Sequence, residues 1–441
     1  MSAADLARPR PLVAGRHAGR VAAAVLLIVF AASLARNLGE RGDFQGYLEV
    51  GELVLQGRDI YADARPGVST WPPFFAVLCV PLALVARASV LAARALWLLL
   101  NGAVVVAILH LTMRLVYGHR LALDDPRAGV WIASTAVLGP LVLAARFVLG
   151  NLDRLQINMI ILWGCLLGGW LLVRGRPIRG GAVIGLMAAI KVLPVFLLPY
   201  LAWKRWWRAL AAAVVTGAAC SALPVLVFGP ERFAGYVRRW LEIAGGGWPV
   251  RKGNQSLYAM IDRFSSHADE LGSPAVHRLV ASDDPRVAAA VYGAMALVAV
   301  TLVAVGRRGG RRPESPAVPV EIAIVLVAAV LFSPLAWKHY FVFLLPAYAV
   351  LWRAAFAPVV AAGAPAAGGA AYAALDAAAR RRLRWVLATA FALTTLTVRG
   401  IVGKPLGVAF ESLSAVTAGG LVVLGGALYL RALLGAAEPA R

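Results

Sequence analysis

Residues 36–73 read RNLGERGDFQGYLEVGELVLQGRDIYADARPGVSTWPP, and this polar stretch interrupts an otherwise apolar part of the chain. The run 21–35 before it and the run 74–86 after it contain no charged residue. The stretch itself mixes acidic and basic residues, and neither sign dominates. This alternation predicts a loop at a membrane surface between two helices that enter the bilayer.

The composition extends that prediction to the whole chain. Its 441 residues are 61% hydrophobic and only 15% charged, whereas soluble proteins carry about 25% charged residues. We therefore expect an all-α, polytopic integral membrane protein with about 11–13 transmembrane helices. The predicted spans are 18–35, 73–86, 90–116, 128–148, 155–173, 179–202, 209–228, 286–305, 318–335, 340–352, 384–398 and 406–430.

The charge distribution sets the predicted sides of the membrane. Lys and Arg number 44 against 22 Asp and Glu, a net charge of +22. Arginine-rich cytoplasmic loops explain this excess, since no basic–aromatic platform for nucleic acid is present. We predict a cytoplasmic tail at 1–20, a membrane domain at 21–353, an Ala/Gly-rich cytoplasmic linker at 354–384, and C-terminal helices at 385–441. The loops 36–73 and 229–285 then face the extracytoplasmic side, and the first helix is expected to be retained rather than cleaved as a signal peptide.

Two predicted spans contain a break. In 179–202 the sequence Lys191-Val192-Leu193-Pro194 predicts two half-helices, which membranes tolerate where the break lines a protein cavity. Pro140 predicts a second break, within 128–148.

Asp43 is the first candidate for chemistry. It follows the first predicted helix by about eight residues, and a carboxylate at the mouth of a helix bundle can act as general base. Asp59 and Asp63 are rivals in the same loop. A solvated loop acid or a helix cap is the alternative interpretation for Asp43.

Two further places hold polar residues among apolar ones. The stretch GNLDRLQINM (150–159) contains Asn151, and such residues are either functional or polar contacts between helices. Lys191 stands alone in its apolar segment, where it binds an anion or extends its amine to the membrane surface.

The outer segments carry the candidates for phosphate and sugar binding. In 229–285, Arg251 and Lys252 are candidates for phosphate, while amides and an aromatic suit a sugar; a solvated loop is the alternative. The turn SPLAWKHY (333–340) adds cationic Lys338 and the titratable His339. An interfacial Trp and His are the alternative for this turn. The complete set of predicted donor phosphate ligands is Lys191, Arg251, Lys252, Lys338 and His339, and that of sugar or acceptor ligands is Asn254, Gln255, Tyr258, Asn151 and Trp337.

Several motifs are absent from the sequence. It contains no P-loop, dinucleotide-binding turn, serine-hydrolase elbow or HExxH, and Asp283–Asp284 before Pro285 predicts a helix start. No acidic cluster for a metal is apparent, so we expect no cofactor and leave a divalent metal open.

Five segments resemble, in order, glycosyltransferase family 87, formerly a domain of unknown function, whose members have the GT-C fold. The segments are GDFQGYLEVGELVLQGRDIY with WPPFFAVLCVPLAL, GNLDRLQINMIILW, RGRPIRGGAVIGLMAAIKVLPVFLLPYLAWKRWWRAL, NQSLYAMIDRF and SPLAWKHYFVFLLP. The resemblance covers residues 42–346. It implies an extracytoplasmic transferase that uses a polyprenyl-phosphate sugar, often mannose, with its catalytic acid in the first outer loop, here Asp43. The family often has glutamine where Asn151 stands, which leaves the role of that residue open.

Together the residues and the resemblance predict transfer of a hexose, with mannose expected, to a lipid or glycan acceptor. A single base and in-line displacement predict inversion at the anomeric carbon. The expected location is the cell membrane, in contact with the lipid bilayer. A transporter or flippase of a lipid-linked sugar is the alternative, although no internal repeat supports it. A catalytically inactive lipid-binding scaffold is a third possibility.

Overall fold

The computed structural model describes residues 43–65, 70–118, 135–245, 249–271, 284–306, 312–360 and 369–437, with Ala24, Ile28, Ala31, Ala32 and Ala35. These residues form helices and turns without a β-strand, which confirms the predicted all-α class. Most of the predicted span 18–35 lies outside the described residues, as do Trp248 and Asp283.

The helices follow one another with short connections. Those before residue 246 are α1 (Phe44–Leu55), α2 (Pro73–Leu78), α3 (Val80–Ala88), α4 (Val90–Tyr117), α5 (Thr135–Asp153), α6 (Asn158–Val173), α7 (Pro177–Ile190), α8 (Leu197–Trp203), α9 (Trp207–Ala222), α10 (Val225–Phe228) and α11 (Pro230–Gly245). Those that follow are α12 (Leu257–Ser266), α13 (Pro285–Gly306), α14 (Val318–Phe332), α15 (Leu345–Val360), α16 (Gly369–Ala373), α17 (Ala377–Phe391), α18 (Arg399–Ser412) and α19 (Ala415–Ala437). Tighter 3₁₀ turns occupy Leu193–Phe196, Ala268–Glu270 and Lys338–Leu344, and a π-helical turn occupies Ala392–Leu396.

Six helical segments of the described chain are long and apolar enough to cross a membrane. They are Val90–Tyr117, Ala136–Asp153, Trp207–Phe228, Pro285–Gly306, Lys338–Phe356 and Ala415–Gly435. The pair Ala377–Leu396 and Arg399–Ser412, bent by 84°, makes a seventh if it counts as one span. The protein is therefore a multi-pass membrane protein. The prediction of about 11–13 spans also counted the shorter apolar helices, and it stays a prediction.

The described chain divides into two compact units. The N-terminal unit comprises residues 29–108 and 147–248, and the C-terminal unit comprises residues 1–28, 109–146 and 249–441. The predicted boundaries at 20, 353 and 384 stay predictions.

Close packing of α7 on α9 organises the N-terminal unit. Gly181 and Gly185, spaced as a GxxxG pair, face the backbone of α9: a Cβ at either position would meet Ala209 O at 2.0 Å or Ala213 O at 2.2 Å. Small residues at this spacing let two helix backbones approach each other, which is how helices commonly associate in lipid. Any larger residue at these two glycines would push α7 and α9 apart.

An aromatic cluster fixes the start of α1 in the same unit. Tyr47 contacts Trp71, Phe75 and Trp97 at ring-centroid distances of 5.1, 5.1 and 5.8 Å. Phe44, the first residue of α1, is fully buried and lies 5.6 Å from the Trp97 ring. Aromatic pairs at these distances favour defined relative orientations. The backbone at residue 43 is therefore held by the packing of the residue that follows it.

Helix α14 is the centre of the C-terminal unit. Nearly all of its side chains are buried, and α19 packs along it. Glu321 on α14 accepts a hydrogen bond from Arg431 Nε of α19 at 2.7 Å, and both side chains are completely buried. In such a buried pair each charge compensates the other, whereas either charge alone would be costly in an apolar environment.

Three local predictions can be compared with the helices. The break at Lys191 is confirmed, because α7 ends at Ile190 and Lys191 is extended, with φ −148° and ψ 132°. The break at Pro140 is wrong, since α5 continues through it. Much of the predicted linker 354–384 is helical in the described residues, in α15, α16 and α17, because alanine is the strongest helix former.

Candidate active site

Asp43 lies immediately before α1, and its side chain does not cap that helix. The carboxylate is exposed, although the next residue, Phe44, is fully buried. The side-chain amide of Gln156 donates a hydrogen bond to Asp43 Oδ2. The acid is thus accessible to a substrate and at the same time held from one side by a neutral donor.

Gln156 belongs to a chain of buried polar side chains. Asn158 Nδ2 donates to Asn151 Oδ1 at 3.1 Å and to Gln156 Oε1 at 3.4 Å, and Lys191 Nζ donates to Asn158 Oδ1 at 2.6 Å. The three carboxamides are each no more than 3% exposed. We refer to the residues Asp43, Gln156, Asn158, Asn151 and Lys191 as the Asp43 network.

Local backbone conformation places this network. After α5 ends, Leu155 takes φ +52°, a left-handed conformation that costs a non-glycine residue free energy. Two hydrogen bonds hold it there: Trp97 Nε1 donates to Leu155 O at 2.8 Å, and Gln156 N donates to Asn151 O at 2.9 Å. The turn directs Gln156 toward Asp43, and the extended residue after α7 brings Lys191 to Asn158.

Asp59 and Asp63, the other two candidate acids of the first loop, form hydrogen bonds within that loop. Asp59 Oδ1 accepts from the backbone N–H groups of Tyr61 and Ala62, both at 2.8 Å, which caps the turn after α1. Asp63 Oδ2 accepts from Arg58 Nε at 3.3 Å and from Asp59 N at 3.1 Å. These carboxylates stabilise the turn, so Asp43 remains the best candidate for a base.

A group of charged residues forms a second candidate site, within the C-terminal unit. Glu411 on α18 accepts from Lys338 Nζ at 2.5 Å and from Arg399 Nη2 at 2.6 Å. Lys252 lies within electrostatic reach of Glu411, Lys338 and Arg399, and Lys404 lies within reach of Lys252. We refer to these five residues as the Glu411 cluster. It has four positive groups and one negative group, so it has the net charge to hold an anion.

Lys252 shows how strongly these charges interact. Burial lowers the pKa of Lys252 from its ordinary value, the positive charge of Arg399 lowers it further, and Glu411 partly opposes both effects. Its side chain is only 7% exposed. An added anion would offset the repulsion among these cations.

The remaining predicted ligands of phosphate lie close to this cluster in sequence. Arg251 stacks over the Trp337 ring, 5.1 Å from its centroid, as cation–π pairs do. His339, 8% exposed, contacts the Tyr340 ring edge-on at a centroid distance of 5.0 Å.

Asn254 and Gln255 connect chain segments inside the protein. The Asn254 carboxamide donates to Pro249 O and Pro334 O and accepts from the N–H groups of Ser256 and Ala336, at 2.9–3.1 Å. These four bonds use its full capacity. The geometry therefore gives Asn254 a structural role, and its predicted contact with sugar receives no support.

Gln255 is engaged through its nitrogen alone, since Nε2 donates to Lys252 O at 2.7 Å and Glu411 O at 2.8 Å, whereas Oε1 is buried without a hydrogen-bond partner in the described part of the chain. It connects two members of the Glu411 cluster. Tyr258 is half-buried and packs against Val250 and Ala259. Asn151 is fully buried within the Asp43 network.

Sequence reasoning missed several residues that the structure brings to these sites. Gln156 was noticed only as part of a polar stretch, while Arg399, Lys404 and Glu411 lie in a tail to which we assigned no chemistry. Glu411 carried a usable signal, because it is an acid inside the predicted apolar span 406–430, and ionised residues inside spans are usually functional. Among the described residues no group of three metal-ligating side chains lies together.

A sequence model of glycosyltransferase family 87 matches residues 70–334, which is more than half of the chain. The chain belongs to glycosyltransferase family 87. The family-87 match begins after Asp43 and ends before Lys338, so it covers neither of these two residues. Membership confirms the resemblance drawn from the five segments, and it makes this multi-pass protein a membrane glycosyltransferase.

Curated proteins with similar sequences come from mycobacteria. A polyprenol-phosphate-mannose-dependent α-(1-2)-phosphatidylinositol mannoside mannosyltransferase of Mycolicibacterium smegmatis is 28% identical over 331 residues, 70% of this chain and 69% of that protein. The corresponding pentamannoside mannosyltransferase of Mycobacterium tuberculosis is 27% identical, over 65% of this chain and 59% of that protein. The alignment thus spans less than two thirds of the second relative.

Among solved structures, ArnT from Cupriavidus metallidurans is similar to this family-87 chain. Its complex with undecaprenyl phosphate superposes with a TM-score of 0.44 and 16% identity, over 94% of this chain and 76% of ArnT. The apo form gives a TM-score of 0.40 and 18% identity.

Proposed function

We propose that this family-87 protein transfers a hexose, mannose, from a polyprenyl-phosphate donor to an extracytoplasmic lipid or glycan acceptor, with Asp43 as general base. The observation that carries the proposal is an exposed aspartate whose carboxylate accepts a hydrogen bond from the buried carboxamide of Gln156. The names of the curated relatives support the donor and the sugar.

The proposed reaction proceeds by displacement at the anomeric carbon. Asp43 accepts the proton of an acceptor hydroxyl, and the hydroxyl oxygen forms a bond to that carbon. The bond from the anomeric carbon to the donor phosphate oxygen breaks, and its electron pair leaves with the phosphate. A single displacement inverts the configuration, and Asp43 later releases its proton to solvent.

The Glu411 cluster is the proposed stabiliser of the leaving phosphate. Negative charge grows on that group as the glycosidic bond breaks, and preorganised cations stabilise such charge most strongly in the transition state. Lys338, Arg399 and Lys252 supply the positive groups, while Arg251 and His339 remain predicted contributors. Of the predicted sugar and acceptor ligands, Trp337, Tyr258 and Gln255, whose Oε1 has no hydrogen-bond partner among the described residues, remain candidates.

Two substitutions in the first loop, at Asp43 and at Asp63, test whether Asp43 is the general base. Radiolabelled mannose transfer from polyprenyl-phosphate mannose to phosphatidylinositol mannosides is measured with membranes from a host without this activity. Asp43→Asn should lower the rate at least about 100-fold, because it removes the base. Asp63→Asn, a matched change in an acid that bonds only within its turn, should retain transfer. A wild-type rate in folded Asp43→Asn would refute the proposed role.

The proposed side of the membrane has its own test. A protein in which the three native cysteines are replaced and Asp63→Cys is introduced should react with a membrane-impermeant maleimide in intact cells. Reaction only after permeabilisation would place the first loop in the cytoplasm and contradict the proposed location of transfer.

A further inference from the structure

The hydrogen bonds of the Asp43 network have a fixed direction, and Lys191 sets it. An ammonium group has donors and no acceptor, so the Lys191 bond at 2.6 Å requires the oxygen of the Asn158 carboxamide on that side. The nitrogen of Asn158 must then point away from Lys191, toward the oxygens of Asn151 and Gln156.

The same logic fixes the orientation of Gln156. Its oxygen accepts from Asn158, so its nitrogen is the end that meets Asp43. If the carboxamide of Gln156 were rotated by 180°, its nitrogen would face the nitrogen of Asn158, and its oxygen would face the carboxylate oxygen of Asp43. Such a turn is disfavoured in a buried place, because polar groups there need complementary partners.

We propose that Gln156 and Asn158 are positioning residues for Asp43, joined to Lys191 in a directed hydrogen-bond relay that keeps one carboxylate oxygen bound and leaves the other for the acceptor hydroxyl. This inference rests on the proposed role of Asp43 as base. It gives Lys191 a task distinct from binding the donor phosphate.

Three further observations support a preorganised relay. Gln156, Asn158 and Asn151 are each nearly or fully buried, so water does not compete with their bonds. The left-handed residue Leu155 just before Gln156 is held by the Trp97 indole. Strained backbone that its surroundings maintain is typical of places where a side chain must be positioned for function.

The test compares turnover with substrate affinity. Gln156→Met keeps the length of the side chain and removes its hydrogen-bond donor. It should lower kcat about 10- to 100-fold with little change in the KM for the sugar donor or for the acceptor, because a misoriented base slows chemistry without weakening binding. Gln56→Met is the matched control, since Gln56 Nε2 bonds to Glu52 at the exposed end of α1. It should leave kcat unchanged.

A double-mutant cycle tests the relay itself. Asn158 makes no bond to Asp43, yet Asn158→Leu should lower kcat like Gln156→Met, and the double variant should be no slower than the worse single variant. Defects that multiply in the double variant would overturn the relay. Thermal unfolding of each purified variant identifies any loss of fold.

A pH profile adds a signature that a purely structural role would not give. Gln156→Glu replaces the donor by a second carboxylate beside Asp43, so the acidic limb of the kcat profile should move to higher pH by about one unit. An unmoved limb would overturn the inference. If Asp43→Asn is inactive while Gln156→Met has wild-type kcat, this inference alone fails; if Asp43→Asn is fully active, the proposed function fails as well.

Discussion

The Asp43 network and the Glu411 cluster hold charged groups in two different ways. In the network, a neutral carboxamide, Gln156, donates to Asp43 and is itself held by Asn158, so the effect depends on the direction of the bonds. The cluster surrounds its single acid with cations, whose effect depends on net charge and falls slowly with distance. Directional bonds suit a base whose proton transfer needs defined geometry, and excess positive charge suits a phosphate group that carries growing negative charge.

The comparison predicts different kinetic defects in the two regions. The largest effect outside Asp43 is expected for Lys338→Met, since Lys338 is bonded to Glu411 at 2.5 Å. It should lower kcat/KM for the donor about 100-fold, and Lys338→Arg should recover much of the loss because it keeps the charge. Initial rates at varied donor concentration measure both. Equal loss in the Arg and Met variants would show that charge is not what matters here.

Lys191→Met sharpens the comparison, because the sequence assigned Lys191 to phosphate and the structure bonds it to Asn158. Because Lys191 is the end of the relay, its replacement by Met should lower kcat about 10-fold or more and leave the donor KM nearly unchanged. A raised donor KM with normal kcat would instead group Lys191 with the Glu411 cluster. Steady-state kinetics with each substrate varied separates these results.

A smaller effect should appear in the pH dependence of donor binding. The pKa of Lys252 is lowered by burial and by Arg399, so this lysine loses its proton, and with it its charge, at a lower pH than an ordinary lysine. The wild-type donor KM should therefore rise severalfold on the alkaline side. In Lys252→Arg the rise should be shifted to higher pH, since arginine keeps its charge. Identical alkaline profiles would exclude Lys252 from phosphate binding.

The smallest effect on turnover is expected for the buried pair Glu321–Arg431, which belongs to neither region. Arg431→Met leaves Glu321 uncompensated and should reduce stability by about 3–5 kcal/mol, with normal kcat at low temperature. Thermal unfolding in detergent measures the loss, and the double change with Glu321→Leu should restore much of it. A strongly lowered kcat in a well-folded Arg431→Met protein would contradict the conclusion that this pair contributes to stability and not to catalysis.

The parts of the fold that the sequence predicted are those with local causes. The broken helix at Lys191 followed from Pro194 three residues later. Helix α1, which lies inside the polar stretch 36–73, was not predicted. The prediction at Pro140 failed because a proline removes one backbone hydrogen bond without necessarily ending a membrane helix. The described parts of the predicted linker 354–384 are largely helical, since a sequence rich in alanine favours helix.

The two sites were less predictable because their partners are distant in sequence. Gln156 lies 113 residues from Asp43, and Glu411 lies 73 residues from Lys338. Single-sequence patterns report periodicity and local spacing, whereas these pairs depend on how helices pack. Residue type alone could identify Asp43 and Lys338 as candidates. It could not reveal that Asn254 is fully engaged by backbone groups.

Equilibrium binding of polyprenyl-phosphate mannose to purified variants tests the division of labour most directly. Asp43→Asn should bind the donor with a Kd within about twofold of wild type although it does not transfer the sugar, while Lys338→Met should bind at least about tenfold more weakly. Equal weakening in both variants, or normal binding in Lys338→Met, would contradict the account in which one region supplies the base and the other holds the phosphate.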